Sequence, residues 1–313
     1  MLSRIAESLY WVGRYVERAE DTARILDVHL HHILEDPAVD EGAACRMLLG
    51  TMGAPVDRGD LDVATVTHLL ATDASNACSI TGSLSAAREN ARGSREILSS
   101  EIWECLNATF HALPARATWG GGDGPHRFFT WVKERAAIVA GLADSTMTRD
   151  DAWRFLVLGR SLERVDMTAR LLWACFGEPA GSPDWVTTLR SCSAQEAFLR
   201  TYRRAPAASL VAEFLLLDRL FPRSVLFALG QAERCLAELD PRAGRAGMDD
   251  EARRILGRVR TDLEYAKVDE LLVDLESHLH ALQTACAEAG TAVARRFFHR
   301  SAVEWNLETS VRP

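Results

Sequence analysis

Along the first part of the chain, the apolar positions recur with the period of a helix. From Ile5 to Leu30 they fall three or four residues apart, which places them on one stripe of a 3.6-residue helix. The charged residues of this segment share the opposite side: Glu7, Arg14, Glu17, Arg18 and Asp21. Pro37 cannot continue a helix. The pattern therefore predicts an amphipathic helix over residues 2–34 with one charged face.

The same periodicity, interrupted by Gly, Pro and capping residues, predicts helices along the rest of the chain. Their ranges are 41–52, 61–72, a long helix from a turn at 73–76 to about 112, 126–143, 149–176, 184–203, 206–217, 222–239, 248–289 with a break near Lys267, and 291–306. The glycine-rich residues 119–125 predict a mobile loop, and they lack the Gly-Lys-Ser/Thr of a phosphate loop. The expected fold is an all-α multi-helix bundle.

The predicted helix over residues 149–176 is apolar almost all round. Apolar residues occupy even its would-be polar side: Leu156, Val157, Met167 and Leu171. A helix of this kind is buried, so Arg160, Glu163 and Arg164 would lie inside the protein, where an unpaired charge is costly. Their candidate partners are one another, the charges of the first helix, or a bound ligand.

One motif occurs twice in the chain. Residues 13–26 and 159–172 both read G-R-x-x-E-R-x-x-x-T-A-R-x-L. A second block repeats at nearly the same offset: Leu70, Asp73, Ser79, Ile80, Leu84 and Ala87 align with Leu215, Asp218, Ser224, Val225, Leu229 and Ala232. We interpret residues 1–146 and 147–290 as diverged tandem copies packed about a pseudo-dyad, followed by a helical extension over residues 291–313, all forming one compact unit.

Composition narrows the class of protein. A chain of 313 residues with 48% hydrophobic content can bury one large core or two fused ones. The net charge of −8 argues against nucleic-acid binding. No segment reaches the roughly 18 apolar residues of a membrane span, and no apolar run near Met1 indicates a signal peptide. The seven cysteines are scattered and never in C-x-x-C spacing, which is typical of reduced core thiols in a cytoplasmic protein.

The duplicated Glu-Arg motif is the main candidate site. On an exposed helix face such charges form salt bridges worth a few tenths of a kcal/mol. Their retention in both copies favours an interior polar centre, in which ion pairing and ligand binding are both open. We assign to this centre the residues Arg14, Glu17, Arg18, Arg160, Glu163 and Arg164, with a flanking strip of Arg88, Glu89 and Arg92. Gly13 and Gly159, unfavourable in a helix by about 1 kcal/mol, predict a close approach of two helices.

Other chemistry has little support in the sequence. The histidines are His29, His31, His32, His278 and His280, among others, but no H-E-x-x-H or cysteine pair accompanies them, so we predict no metal site and no cofactor. No G-x-S-x-G elbow indicates a catalytic triad. The basic and aromatic residues 295–300 are typical of an amphipathic docking helix.

The opening residues 1–20 resemble, almost letter for letter, the start of the bacterial alpha-E domain family. Residues 87–92, 217–218 and 222–224 extend the resemblance. It implies an all-helical fold named for its Glu-Arg motif, which corresponds here to Glu17-Arg18 and Glu163-Arg164. It also implies an association with circularly permuted ATP-grasp proteins and with transglutaminase-like proteins, and hence with a peptide-modification or amide-forming system.

Three hypotheses follow for the function. The first is a non-catalytic adaptor that docks an ATP-grasp-type ligase and positions its peptide substrate, with arginines holding carboxylate or phosphate groups. The second is an enzyme of the same system in which Glu17 or Glu163 is a general acid or base in an Arg-lined pocket. The third is purely structural, with ion pairs that fasten the two halves together.

Overall fold

The computed structural model describes residues 2–37, 39–54, 61–118, 124–176, 184–241 and 247–298. Within these ranges the chain is helical without any strand, which confirms the predicted all-α class. The α-helices are α1 (Ser3–Glu35), α2 (Glu41–Met52), α3 (Val63–Thr67), α4 (Ile80–Gly93), α5 (Ser100–Arg116), α6 (His126–Thr146), α7 (Asp151–Phe176), α8 (Trp185–Ser191), α9 (Gln195–Tyr202), α10 (Ala208–Leu217), α11 (Val225–Leu239), α12 (Glu251–Tyr265), α13 (Val268–Val273) and α14 (Leu275–Val293). Two π-helical turns, His68–Thr72 and Ala294–Phe298, follow α3 and α14.

Several helices that the hydrophobic pattern predicts as continuous are divided in the structure. The single helix predicted up to about residue 112 is wrong: it is divided between α4 and α5, where the Ser99 hydroxyl accepts a hydrogen bond from the backbone N–H of Ile102 and starts a new helix. The predicted helix over 184–203 is divided into α8 and α9 at Ser193, which has a positive φ of 54°. Asp274 caps α14 and adds a second break after the one predicted near Lys267.

Two predicted segments fall largely beyond the described ranges. Of the glycine-rich loop predicted at 119–125, residues 119–123 lie outside them. Of the helix predicted at 291–306, the described part continues α14 to Val293 and then forms the π-helical turn that ends at Phe298.

Helices α1 and α7 form the centre of the molecule. Helix α1 packs against α7, α4 and α6, and α7 also packs against α11 and α14. The two helices touch at their glycines. An ideal Cβ atom on Gly13 would lie 2.0 Å from the carbonyl oxygen of Leu156, and one on Gly159 would lie 2.0 Å from that of Tyr10. A side chain at either position would push the backbones apart, so these glycines permit the close approach.

Two groups of buried apolar side chains flank this crossing. The larger joins the first half of α1 to α7 and to α10–α14, and it includes Leu9, Leu158 and Leu229. The smaller joins the second half of α1 to α2, α4 and α6 through residues such as Leu26 and Phe129. Helix α1 contributes to both groups, as do α4, α5, α6 and α7, so these helices link the two parts of the core.

Candidate functional site

Glu163 is buried where α7 crosses α1. Its side chain is 1% exposed, and two arginines of α1 bind it. Arg14 donates through Nε to Oε2 at 2.6 Å, and Arg18 donates through Nε to Oε1 at 2.5 Å and through Nη2 to Oε2 at 3.1 Å. Burial alone would raise the pKa of Glu163, but the two guanidinium groups outweigh it and lower that pKa. The carboxylate is therefore ionised and fully engaged.

Glu17 has the corresponding position on α1. Arg164 of α7 binds both of its oxygens, with Nε at 2.6 Å from Oε1 and Nη2 at 2.9 Å from Oε2. A second arginine, Arg223, places Nη1 at 3.1 Å from Oε1. Burial opposes ionisation here too, but Arg164 and Arg223 prevail and lower the pKa of Glu17 to about 2. Both motif glutamates are thus buried anions, each shared by two arginines.

The motif's ion pairs cross from one helix to the other. Arg14 and Arg18 of α1 pair with Glu163 of α7, while Arg164 of α7 pairs with Glu17 of α1. The interpretation as exposed salt bridges within one helix does not apply to these residues. Much of the charged face predicted for the first helix is also withdrawn from solvent: Glu17 is 2% and Asp21 5% exposed, whereas Glu7, near the start of the helix, is exposed. The motif ties α1 to α7 next to their glycine contacts.

Arg223 is a member of this centre that the motif alone did not indicate. It lies in the loop before α11, and its guanidinium is 2.6 Å from Oδ1 of Asp21 and 2.5 Å from Oε1 of Glu20. Burial and the neighbouring carboxylates of Glu17 and Glu20 outweigh the attraction of Arg223 and raise the pKa of Asp21 to about 7. The sequence did contain a signal for Arg223, because it lies in the segment 222–224 that contributed to the family resemblance.

Arg160 differs from the other motif arginines. It makes no hydrogen bond or ion pair with any residue in the described part of the chain. Burial, assisted by the charge of Arg164, lowers the pKa of Arg160, and the carboxylates of Glu17 and Asp144 only partly offset this effect. Arg160 is therefore near the centre without being paired in it.

The strip on α4 forms a separate cluster. Arg88 donates to Oδ1 of Asn107 on α5, through Nε at 3.2 Å and Nη2 at 3.1 Å, and also contacts Glu89. Arg92 lies 2.9 Å from Glu89 in a solvent-exposed pair. These contacts link α4 to α5 and to solvent and do not reach Glu17 or Glu163. The structure thus separates Arg88, Glu89 and Arg92 from the six residues of the centre.

The three histidines near the end of α1 have different surroundings and do not form one cluster. Burial lowers the pKa of His29 to about 4, His31 lies 3.0 Å from Glu35, and His32 lies 3.9 Å from Asp184. Over the described ranges, no three His, Cys, Asp or Glu side chains converge in a way that could hold a metal ion. Cys45, Cys78, Cys105, Cys192, Cys235 and Cys286 are free thiols. None of the helices described there is long and apolar enough to cross a bilayer.

The lowered pKa of Glu17 predicts a loss of stability in acid. Its ordinary value is 4.5 and its value in the folded protein is about 2, so ionised Glu17 stabilises the fold fully above about pH 4.5, and this contribution declines as the pH falls toward 2. We expect the free energy of unfolding, measured by urea titration, to decrease over that interval. The Glu17→Gln variant should decrease less steeply, and parallel curves for the two proteins would contradict the assignment.

Comparison with known proteins gives a family but no characterised relative. A family model for Alpha-E, described as "a predicted alpha-helical domain with a conserved ER motif", matches residues 1–298. An uncharacterised protein of Mycobacterium bovis is 27% identical over 334 residues, covering 92% of this chain and 36% of that protein. Two uncharacterised Mycobacterium tuberculosis proteins are 27% and 26% identical over the same shares. The chain thus spans little more than a third of these relatives' length. No solved structure matches it.

Proposed function

The chain belongs to the Alpha-E family of helical domains, and we propose that it is a non-catalytic accessory protein, an adaptor in an ATP-grasp-type peptide-modification system. One observation carries the non-catalytic part of this proposal. The family's motif glutamates, Glu17 and Glu163, are both buried and each is bound by two arginines. Groups held in this way join helices and are poorly placed to exchange protons with a substrate.

The alternative, an enzyme that uses Glu17 or Glu163, is less consistent with these surroundings. A general acid or base works best with a pKa near the operating pH, and a catalytic glutamate usually reaches that range through burial away from cations. Here the arginines lower both pKa values. Both carboxylates would also have to leave two charge-assisted hydrogen-bonding partners before they could react.

We also propose that the two halves of the chain arose by duplication, so that the motif fastens one copy to the other. Two sets of contacts support this origin. The contacts of Gly13 with Leu156 and of Gly159 with Tyr10 are reciprocal. In the second repeated block, the Ser79 hydroxyl caps α4 and donates to the carbonyl oxygen of Asp73. The Ser224 hydroxyl caps α11 and donates to that of Asp218.

The choice of partner rests on the family resemblance, which implies circularly permuted ATP-grasp proteins and, as a second candidate, transglutaminase-like proteins. The coverage of the mycobacterial relatives is compatible with a module that acts beside other domains, because 36% of each relative corresponds to this chain. A rigid helical unit with its motif charges internally paired suits a role in docking and positioning a peptide.

Co-purification with the ligase tests the adaptor proposal. We expect the tagged protein, isolated from its own cells, to retain an ATP-grasp-type protein and to change the rate at which that protein modifies its peptide. Identification by mass spectrometry and a reconstituted ATP-consumption assay would measure the two effects. If the proteins neither associate nor alter each other's activity, the proposal is wrong.

A second arm of the same assay separates an adaptor from an enzyme. The Glu17→Gln and Glu163→Gln variants, compared at equal concentrations of folded protein, should support the same turnover as the unmodified chain. A loss of turnover larger than a hundredfold, with association intact, would instead indicate acid–base catalysis by that glutamate.

A further inference from the structure

The two halves of the Glu-Arg centre are built from different arginines. Glu163 is bound by Arg14 and Arg18 of the motif on α1. Glu17 is bound by Arg164, which corresponds to Arg18, but its second partner is Arg223. Arg160 corresponds to Arg14 in the repeat, yet Arg223 takes the place beside Glu17 that Arg160 would fill by analogy. One motif arginine is therefore released from ion pairing.

The released arginine lines a cavity of about 430 Å³, within the range typical of small-molecule sites. Arg160 and Arg164 of α7 form part of its wall, together with Arg149 and Trp153 near the start of that helix. Phe227 and Gln231 of α11 add an apolar surface and an amide to the lining. The lining thus combines arginine side chains with the aromatic rings of Trp153 and Phe227.

The other charges around this cavity already have counter-ions. Arg164 binds Glu17 through both carboxylate oxygens and donates from Nη1 to the carbonyl oxygen of Pro222. Arg149 stacks on the Trp153 ring, with Cζ 4.1 Å from the ring centroid, and pairs with Asp144 at 3.3 Å. Among the described residues of the lining, Arg160 is thus the one arginine without an ion-pair partner.

This charge balance distinguishes between classes of anion. A single carboxylate would neutralise Arg160 and could accept two parallel hydrogen bonds from its guanidinium. A phosphate dianion would bring one charge too many into a cavity whose lining includes the carboxylate of Asp144.

We propose that this cavity binds a carboxylate group attached to a small apolar body, such as the C-terminal residue of a peptide, with Arg160 as its anchor. The proposal concerns binding alone and stands whether or not the chain is an adaptor. The six charged residues assigned to the centre then have two roles: five of them pair helices α1 and α7, and the sixth, Arg160, holds a ligand.

Calorimetric titration with N-acetyl-leucine tests the proposal, with N-acetyl-leucinamide as the matched neutral probe and inorganic phosphate as the competing anion. We expect N-acetyl-leucine to bind at least tenfold more tightly than either. The Arg160→Gln variant should bind N-acetyl-leucine at least tenfold more weakly than the unmodified protein. Arg160→Lys keeps the positive charge but lacks the planar guanidinium, so it should bind severalfold more weakly. Arg92→Gln, on the exposed strip of α4, should bind as the unmodified protein does.

A measurement of thermal stability shows whether a loss of affinity in Arg160→Gln comes from a lost ligand contact or from a destabilised fold. Because Arg160 has no ion pair to lose, Arg160→Gln should leave the thermal midpoint of the ligand-free protein unchanged or higher, whereas Arg164→Gln should lower it. The proposal is overturned if acid and amide bind equally, if phosphate binds more tightly than the carboxylate, if Arg160→Gln retains full affinity, or if that variant unfolds as readily as Arg164→Gln.

Discussion

Replacing Gly159 with alanine is expected to destabilise the protein by at least about 3 kcal/mol, at the upper end of what overpacking costs. The new methyl group would lie 2.0 Å from the carbonyl oxygen of Tyr10, a backbone atom that cannot move away by rotating a side chain. Helices α1 and α7 would have to separate, and their separation would lengthen the ion pairs of Glu17 and Glu163. Gly13→Ala should have a comparable effect, because its methyl group would meet Leu156 in the same way.

Gly141 provides the matched control. It lies in α6, and a Cβ atom there would meet nothing within 4 Å. Alanine is the better helix former by about 1 kcal/mol, so Gly141→Ala should stabilise the protein slightly. Urea unfolding, with the slope checked for each variant, measures all three. If Gly159→Ala and Gly141→Ala had similar stabilities, the close contact of α1 with α7 would be wrong.

The second large effect is expected from Glu163→Gln. The amide keeps the shape of the side chain but removes its charge, so Arg14 and Arg18 would share a neutral partner at a largely buried site. Breaking a buried ion pair by removing one partner costs about 3–5 kcal/mol. We expect a decrease of that size in the free energy of unfolding, visible also as a lower thermal midpoint.

Glu89 is the appropriate control for charge removal. It also contacts two arginines, Arg88 and Arg92, but its side chain is 48% exposed. Exposed pairs contribute about 0–1 kcal/mol because water and salt screen them. Glu89→Gln should therefore change stability by less than about 1 kcal/mol. An equally small loss in Glu163→Gln would show that the central ion pairs do not hold α1 against α7.

Replacing all three charges of this group should destabilise the protein less than removing the carboxylate alone. A variant with Arg14→Met, Arg18→Met and Glu163→Leu removes the buried cations together with their anion. Substitutions of this type are often neutral or stabilising, because charged groups no longer have to leave water. Recovery of most of the stability lost in Glu163→Gln would identify the unpaired arginines, rather than the missing carboxylate itself, as the cause of the loss.

Much of the local structure could be predicted from the chain alone. The bounds of α1, α2 and α7 agree with the sequence prediction to within about two residues, because long runs with one helical period leave little choice of conformation. Helix boundaries set by single polar side chains were harder to predict. The hydrophobic pattern continues on both sides of Ser99 and of Asp274. The helix breaks there depend on capping hydrogen bonds, which the hydrophobic period does not reveal.

The order of the residues is enough to predict an all-helical protein whose Glu-Arg motif occurs on two long helices, each with a mid-helix glycine. It is not enough to predict which charges meet, because that depends on how the helices pack. The crossing of α1 and α7 pairs each glutamate with arginines of the other helix, the loop before α11 brings in Arg223, and Arg160 is left facing a cavity. Helical period is a property of neighbouring residues, whereas ion pairing across some 150 positions depends on how whole helices pack.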